Sequence, residues 1–178
     1  MSMNEYLQYA TGLGFTHAEY ADRLAVQCRP DLRTFCNPDQ CTSFGTSWVC
    51  PPGCGTLEEC RERAAGFHSG IILQSVSQVP SGVGRRFKMK RLQRAHNLKF
   101  LKLAERVRND GHTALPLTTG GCILCQTCTY PNEPCREPGR RFHSLSAYGI
   151  DVSALCGQVG LDFAFHNDSV TYVACLLL

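Results

Sequence analysis

The chain has 178 residues, which suits one domain built on one core. Its 43% hydrophobic and 19% charged residues exclude a disordered chain, which would carry fewer apolar residues and more net charge. A formal net charge of +3 does not by itself mark a nucleic-acid binder.

The opening segment, MSMNEYLQYATGLGF, has no basic stretch followed by an apolar one, so it does not read as a secretory signal. Residues 3 to 11 are expected to form a short helix. THAEYADRLAVQ, 16 to 27, predicts a strand toward its end. Cys28 to Gly55 is loop-rich, with prolines at 30, 38, 51 and 52. Chains that wrap a cofactor look like this, because the ligands replace a hydrophobic core.

Thr56-Leu57-Glu58-Glu59 is a capping box opening a helix that carries Leu57, Cys60, Ala64 and Phe67 on one face. GIILQSVSQ, 70 to 78, predicts a strand, and PSGVG after it a turn. Residues 86 to 109 give the longest helical pattern, with Leu92, Phe100, Leu103 and Val107 on one face and Gly111 as a stop. Its other faces, with the preceding Arg85, are basic: Arg86, Lys88, Lys90, Arg91, Arg94, Lys99, Lys102, Arg106 and Arg108. Ala114 to Leu117 predicts a short strand, and residues 151 to 157 a helix capped by Asp151. Residues 161 to 166 and 170 to 178 predict two strands of a hairpin around an HNDS turn. No apolar run is long enough to cross a membrane; the closing YVACLLL is strand-sized. The expected fold is α/β or α+β: one domain over 1–178, a small mixed sheet flanked by helices, with cysteine-rich loops at 28–60 and 120–138.

Twelve cysteines set the chemistry. Without an export signal the chain is expected in the cytoplasm, where clustered thiols serve as ligands or catalysts rather than disulfides. In GGCILCQTCTYPNEPCREP, Cys122, Cys125 and Cys128 fall every third residue, and Cys135 follows after six more. A loop with this spacing wraps three corners of a cubane, and the fourth ligand arrives from further along. Tetrahedral zinc more often takes two separated CxxC pairs. The spacing therefore favours one 4Fe–4S cluster, with zinc the alternative. A second group, Cys36, Cys41 and Cys50, lies among Phe44, Gly45, Trp48, Pro51 and Pro52. It reads as a second metal centre or, more plainly, as buried thiols. Cys28 and Cys54 are each candidates for its fourth ligand. Cys60, Cys156 and Cys175 read as core residues.

These motifs together resemble the DUF2284 family of small metal-binding proteins. The resemblance spans nearly the whole chain. It is carried by Cys36, Cys41, FGTSWVCPP, the LEEC helix start, GGCILCQTC, PCREP, SAYGIDV and the terminal strand. It implies that Cys36, Cys41, Cys50, Cys122, Cys125, Cys128 and Cys135 are the shared thiols. Ser146 stands where the family commonly carries an acidic residue. The resemblance implies metal binding and supplies no reaction.

Seven shared thiols are one short of two fully ligated cubanes. Two iron–sulfur readings follow: a carrier acting in electron transfer or redox chemistry with a redox partner protein, or an enzyme whose open iron meets a small-molecule substrate. A zinc-stabilised interaction module is the third. The basic helix is either a solvated face or a docking surface for an acidic redox partner or an anionic substrate. His96 beside the apolar stripe reads as packed or solvated. His68, His112, His143 and His166 form no ligand motif, and no P-loop, dinucleotide fingerprint or nucleophile elbow is present. Nothing marks a membrane partner, and nucleic acid is the weaker option.

Overall fold

A computed structural model describes residues 1–164 and 166–178. Two nine-residue strands form the centre, β2 (Gly70–Gln78) and β5 (Ser169–Leu177). They pair antiparallel along their whole length, from Gly70 opposite Leu177 to Gln78 opposite Ser169. The other strands are β1 (His17–Ala21), β3 (Leu115–Thr118) and β4 (His143–Ser144). The five-stranded sheet runs β1-β2-β5-β3-β4, antiparallel except for the parallel β3–β4 pair.

Alternation along the central strands supplies two cores. Ile71, Leu73, Ala174 and Leu176 face one side. There they pack against Tyr6 and Ala10 of helix α1 (Met3–Gly12) and Phe100, Leu103 and Val107 of α4 (Arg85–Asn109). Ile72, Val173, Cys175 and Leu177 face the other, against Cys60 and Ala64 of α3 (Leu57–Ala65) and Leu155 and Cys156 of α5 (Val152–Gly157). The mixed sheet is thus covered on both faces, which is why the paired ends Ile71–Leu73 and Tyr172–Leu177 are unbroken apolar runs. A one-turn helix, α2 (Pro30–Arg33), lies in the first cysteine-rich loop.

The capping box forms as expected. Thr56 accepts from the Glu59 N–H, and the Glu59 carboxylate accepts from Thr56 N at 2.7 Å. Asp151 caps α5 by accepting from Ala154 N. Two expectations are corrected. The strand in 16–27 lies at the start of that segment, where Thr16 N donates to Gln74 O and sets the register with β2. Its end turns off the sheet, because Leu24 N binds His68 O and the Ala25 backbone is held by Gln158. The terminal hairpin does not form. Residues 161–164 are not a strand, and Phe165 lies outside the described residues. Gln74 Nε2 instead fixes Asp162 O at 2.9 Å, and β5 is already paired on both edges.

Candidate metal centre

The second cysteine loop begins where β3 leaves the sheet, and α4 fixes that exit. Asn97 Oδ1 accepts from Thr118 Oγ1 at 2.9 Å, and Asn97 Nδ2 donates to Thr119 O at 3.1 Å. Gln93 lies against Gly120, whose φ of 76° and crowded Cα face both call for glycine; a Cβ there would sit 2.6 Å from Gln93 Nε2. Two residues later comes Cys122.

The loop is tied internally and to the first cysteine segment. Arg136 Nη1 donates to Thr127 O, Thr129 Oγ1 to Pro134 O, and Glu133 N to Thr129 O. Trp48 Nε1 donates across to Glu133 O at 3.1 Å, and its ring meets Tyr130 edge-on at 5.0 Å. Between the two segments lies a cavity of about 210 Å³ lined by all four of Cys122, Cys125, Cys128 and Cys135. Ser47, Trp48, Arg136 and Arg141 complete much of its wall. Burial pushes the Cys122 thiol up, and the thiols of Cys125, Cys135 and Cys128 add to the rise. Cys122 therefore stands close enough to the other three predicted residues to feel their charge.

The donor set suits a thiophilic metal group. Thiolates crowded in a part-buried cavity repel one another, and bound cations offset that repulsion. The Ser47 hydroxyl is buried in the same wall. It counters part of the rise at Cys50 but meets no partner in hydrogen-bonding geometry among the described residues.

Cys36, Cys41 and Cys50 are also brought together. Tight turns place them: Cys36 N binds Arg33 O, Cys41 N binds Asn37 O and Cys50 N binds Ser47 O. Burial raises the Cys36 thiol, with Arg33 opposing and Cys41 and Cys50 reinforcing. Cys50 is likewise raised by burial and senses both Cys41 and Cys128. Cys50 thus links the two thiol groups. Cys36 also borders a wide cleft of about 640 Å³ with Arg33, Phe44, Pro51, Pro52 and Thr56.

Cys28 and Cys54 go elsewhere. The Cys54 thiol is raised, first by its hydrogen bond to the Cys60 thiol and then by burial. Cys28 is raised by burial and then by Cys60. The two fourth-ligand candidates therefore face a third, buried set of thiols. At its centre Cys60 Sγ lies 3.2 Å from Arg63 Nη2 and 3.9 Å from Arg33 Nη1. Cys60 is a core residue, as expected, but its two guanidinium neighbours escaped the sequence reading. Only the Cys60–Arg63 spacing of one helical turn offered a signal. Cys156 and Cys175 are core residues. His96 is packed, with Nδ1 2.9 Å from Ser75 Oγ.

Among the described residues, no three His, Cys, Asp or Glu side chains are grouped to hold a single metal ion. No helix among the described residues is long and apolar enough to cross a membrane. No curated protein and no solved structure matches the chain. Residues 22–178, nearly the whole length, match the family described as "Predicted metal-binding protein (DUF2284)", and the chain belongs to that family.

Proposed function

We propose that this is an iron–sulfur protein acting in electron transfer or redox chemistry. Cys122, Cys125, Cys128 and Cys135 would hold a 4Fe–4S cluster, and Cys36, Cys41 and Cys50 a second metal centre. The observation that carries the reading is the single cavity lined by all four thiols of the C-x2-C-x2-C…C motif. Such a cluster, when bound, supplies a one-electron couple. The protein's part is to shape the couple. Trp48 and Tyr130 cover one side of the loop, and Arg136 and Arg141 set positive charge beside the thiolates. Both devices tune a potential, the first by excluding water and the second by stabilising the reduced form. A reducing, cytoplasmic setting would keep clustered thiols available as ligands.

A second reading is supported by the first thiol group. Cys28 and Cys54 turn toward Cys60, so three thiols remain around Cys36, and Cys36 borders an open cleft. A centre with three protein ligands and an accessible side is the arrangement of an enzyme that binds a small substrate at iron.

Anaerobic purification with iron, zinc and sulfide analysis tests the proposal. Brown protein containing iron and acid-labile sulfide is expected. Folded, colourless protein that takes up zinc alone after attempted reconstitution would leave the interaction-module reading in its place.

A further inference from the structure

We propose that the outer face of α4 is a docking surface for a small acidic electron-transfer protein. The first part of the helix, RRFKMKRLQRA over residues 85–95, carries six cations and no acid. None of these eleven residues is buried; burial along α4 begins at His96. Arg85 is engaged with the carbonyls of Val79 and Asn167. Among the described residues, none of Arg86, Lys88, Lys90, Arg91 and Arg94 has an acidic partner. An ordinary solvated helix balances its cations with acids one turn away, and this one does not.

The outer stripe is also apolar in the right places. Phe87, Arg91, Arg94, Leu98 and Lys102 follow one another at helical spacing along the face opposite the core. Phe87 is 68% exposed, Leu98 43%, and Val83 in the preceding turn is fully exposed. Arg91 lies over the Phe87 ring at 6.0 Å. From Phe87 to Leu98 the helix rises about 16 Å. That reach suits a protein interface with apolar anchors and charged surroundings.

The helix start is held against its own electrostatics. Gly84 precedes α4 with no side-chain cap, and the first turn contains no acid. Cations therefore gather at the positive end of the helix dipole, an arrangement that an acidic partner relieves. The inner side of the same helix decides which acidic partner. Gln93 and Asn97 grip Thr118 to Gly120, the segment leading into Cys122. A protein seated on α4 would thereby touch the helix that holds the strand exit into Cys122. The choice of an electron carrier rests on the proposed redox function; the presence of an acidic-protein surface does not.

The test is titration calorimetry with a small acidic ferredoxin as probe, using the full chain as purified. Two variants accompany it: the triple charge reversal Arg91→Glu/Arg94→Glu/Lys102→Glu, and Phe87→Ser. Circular dichroism checks that both fold. Binding at low salt is expected, weakened about tenfold or more at high salt and by the triple variant. Phe87→Ser is expected to weaken it at both salt concentrations. Unchanged affinity in the triple variant overturns the proposal. So does binding of phosphatidylglycerol vesicles or a single-stranded oligonucleotide where ferredoxin does not bind. Iron-free protein that binds ferredoxin through these charges supports the surface and fails the redox reading. Iron-loaded protein indifferent to the charge reversal does the opposite.

Discussion

Arg63 reaches back along α3 and sets Nη2 3.2 Å from the Cys60 sulfur while its Nε donates to the Tyr148 hydroxyl at 3.1 Å. The same Nη2 donates to the Cys54 carbonyl. One guanidinium therefore joins α3, the Cys54 turn and the 3₁₀ turn at Ser146–Tyr148. The Cys60 thiol is held below its usual range, first by the hydrogen bond from the Cys54 thiol and then by Arg63. Arg33 also faces it, and Cys28 is a further thiol nearby. Arg63→Ala is expected to cost about 1–2 kcal/mol, at the modest end because the side chain is partly solvated. A lowered thiol stabilises the fold above the ordinary thiol range, and that increment is lost as pH falls through the lowered value. The cost of Arg63→Ala is therefore larger at alkaline than at mildly acidic pH, and Cys60→Ser removes the difference. Urea unfolding across pH checks this; a pH-independent cost contradicts it.

His96 sets an acid limit. It is fully buried between the edge of Phe15 and Tyr172, with Ser75 Oγ on Nδ1 and Lys99 as the nearby cation. Burial, reinforced by Lys99, pushes its pKa down to about 3. The unfolded imidazole takes a proton near pH 6.5, so the unfolded state gains stability as pH falls from there toward 3. Over the whole window His96 accounts for a loss on the order of 5 kcal/mol. His143, also lowered by burial, acts in the same sense. Denaturation midpoints should fall steadily below pH 6.5, and less so in His96→Gln. Parallel profiles for the two proteins would refute the assignment.

Local chemistry made part of this structure legible. The Thr56–Glu59 box and the apolar run at 70–78 depend on neighbours within a few residues, and both form where expected. The cysteines at 122, 125 and 128, spaced three residues apart, line one cavity together with Cys135. What escaped was non-local. An apolar run such as TYVACLL fits a hairpin or a central strand equally well, and only pairing with both β2 and β3 decides between them. The orientation of Cys28 and Cys54 is set by packing under α3, across residues far apart in sequence. No spacing rule encodes it.

The glycine in SAYGIDV has a steric reason. Gly149 has φ 64°, and a Cβ there would lie 2.4 Å from Arg29 O. Its own carbonyl accepts from Arg29 N at 2.8 Å, and the next residue, Ile150, bridges to Cys28. Gly160, with φ 71°, has open space where its Cβ would be. Gly160→Ala is expected to cost about 1 kcal/mol from backbone conformation alone. Gly149→Ala adds the collision and should cost about 2–4 kcal/mol. Thermal and urea unfolding of the two variants separate these terms, and equal losses would show that the close approach to Arg29 is not the constraint.

The thiol groups predict an unequal response to cysteine removal. Cys125→Ser or Cys135→Ser takes a ligand from the cavity and should lower bound iron by about four atoms per chain. Cys156→Ala should leave iron unchanged, because that sulfur lies in the core and accepts from Gln74 Nε2 at 3.5 Å. Cys28→Ala and Cys54→Ala are the decisive pair. Both sulfurs face Cys60 rather than Cys36, so each variant should keep its full iron and lose only stability. Iron and sulfide counts on anaerobic protein read the result directly. Loss of iron in either variant would make that cysteine a ligand of the first group and close the position that an enzyme would use.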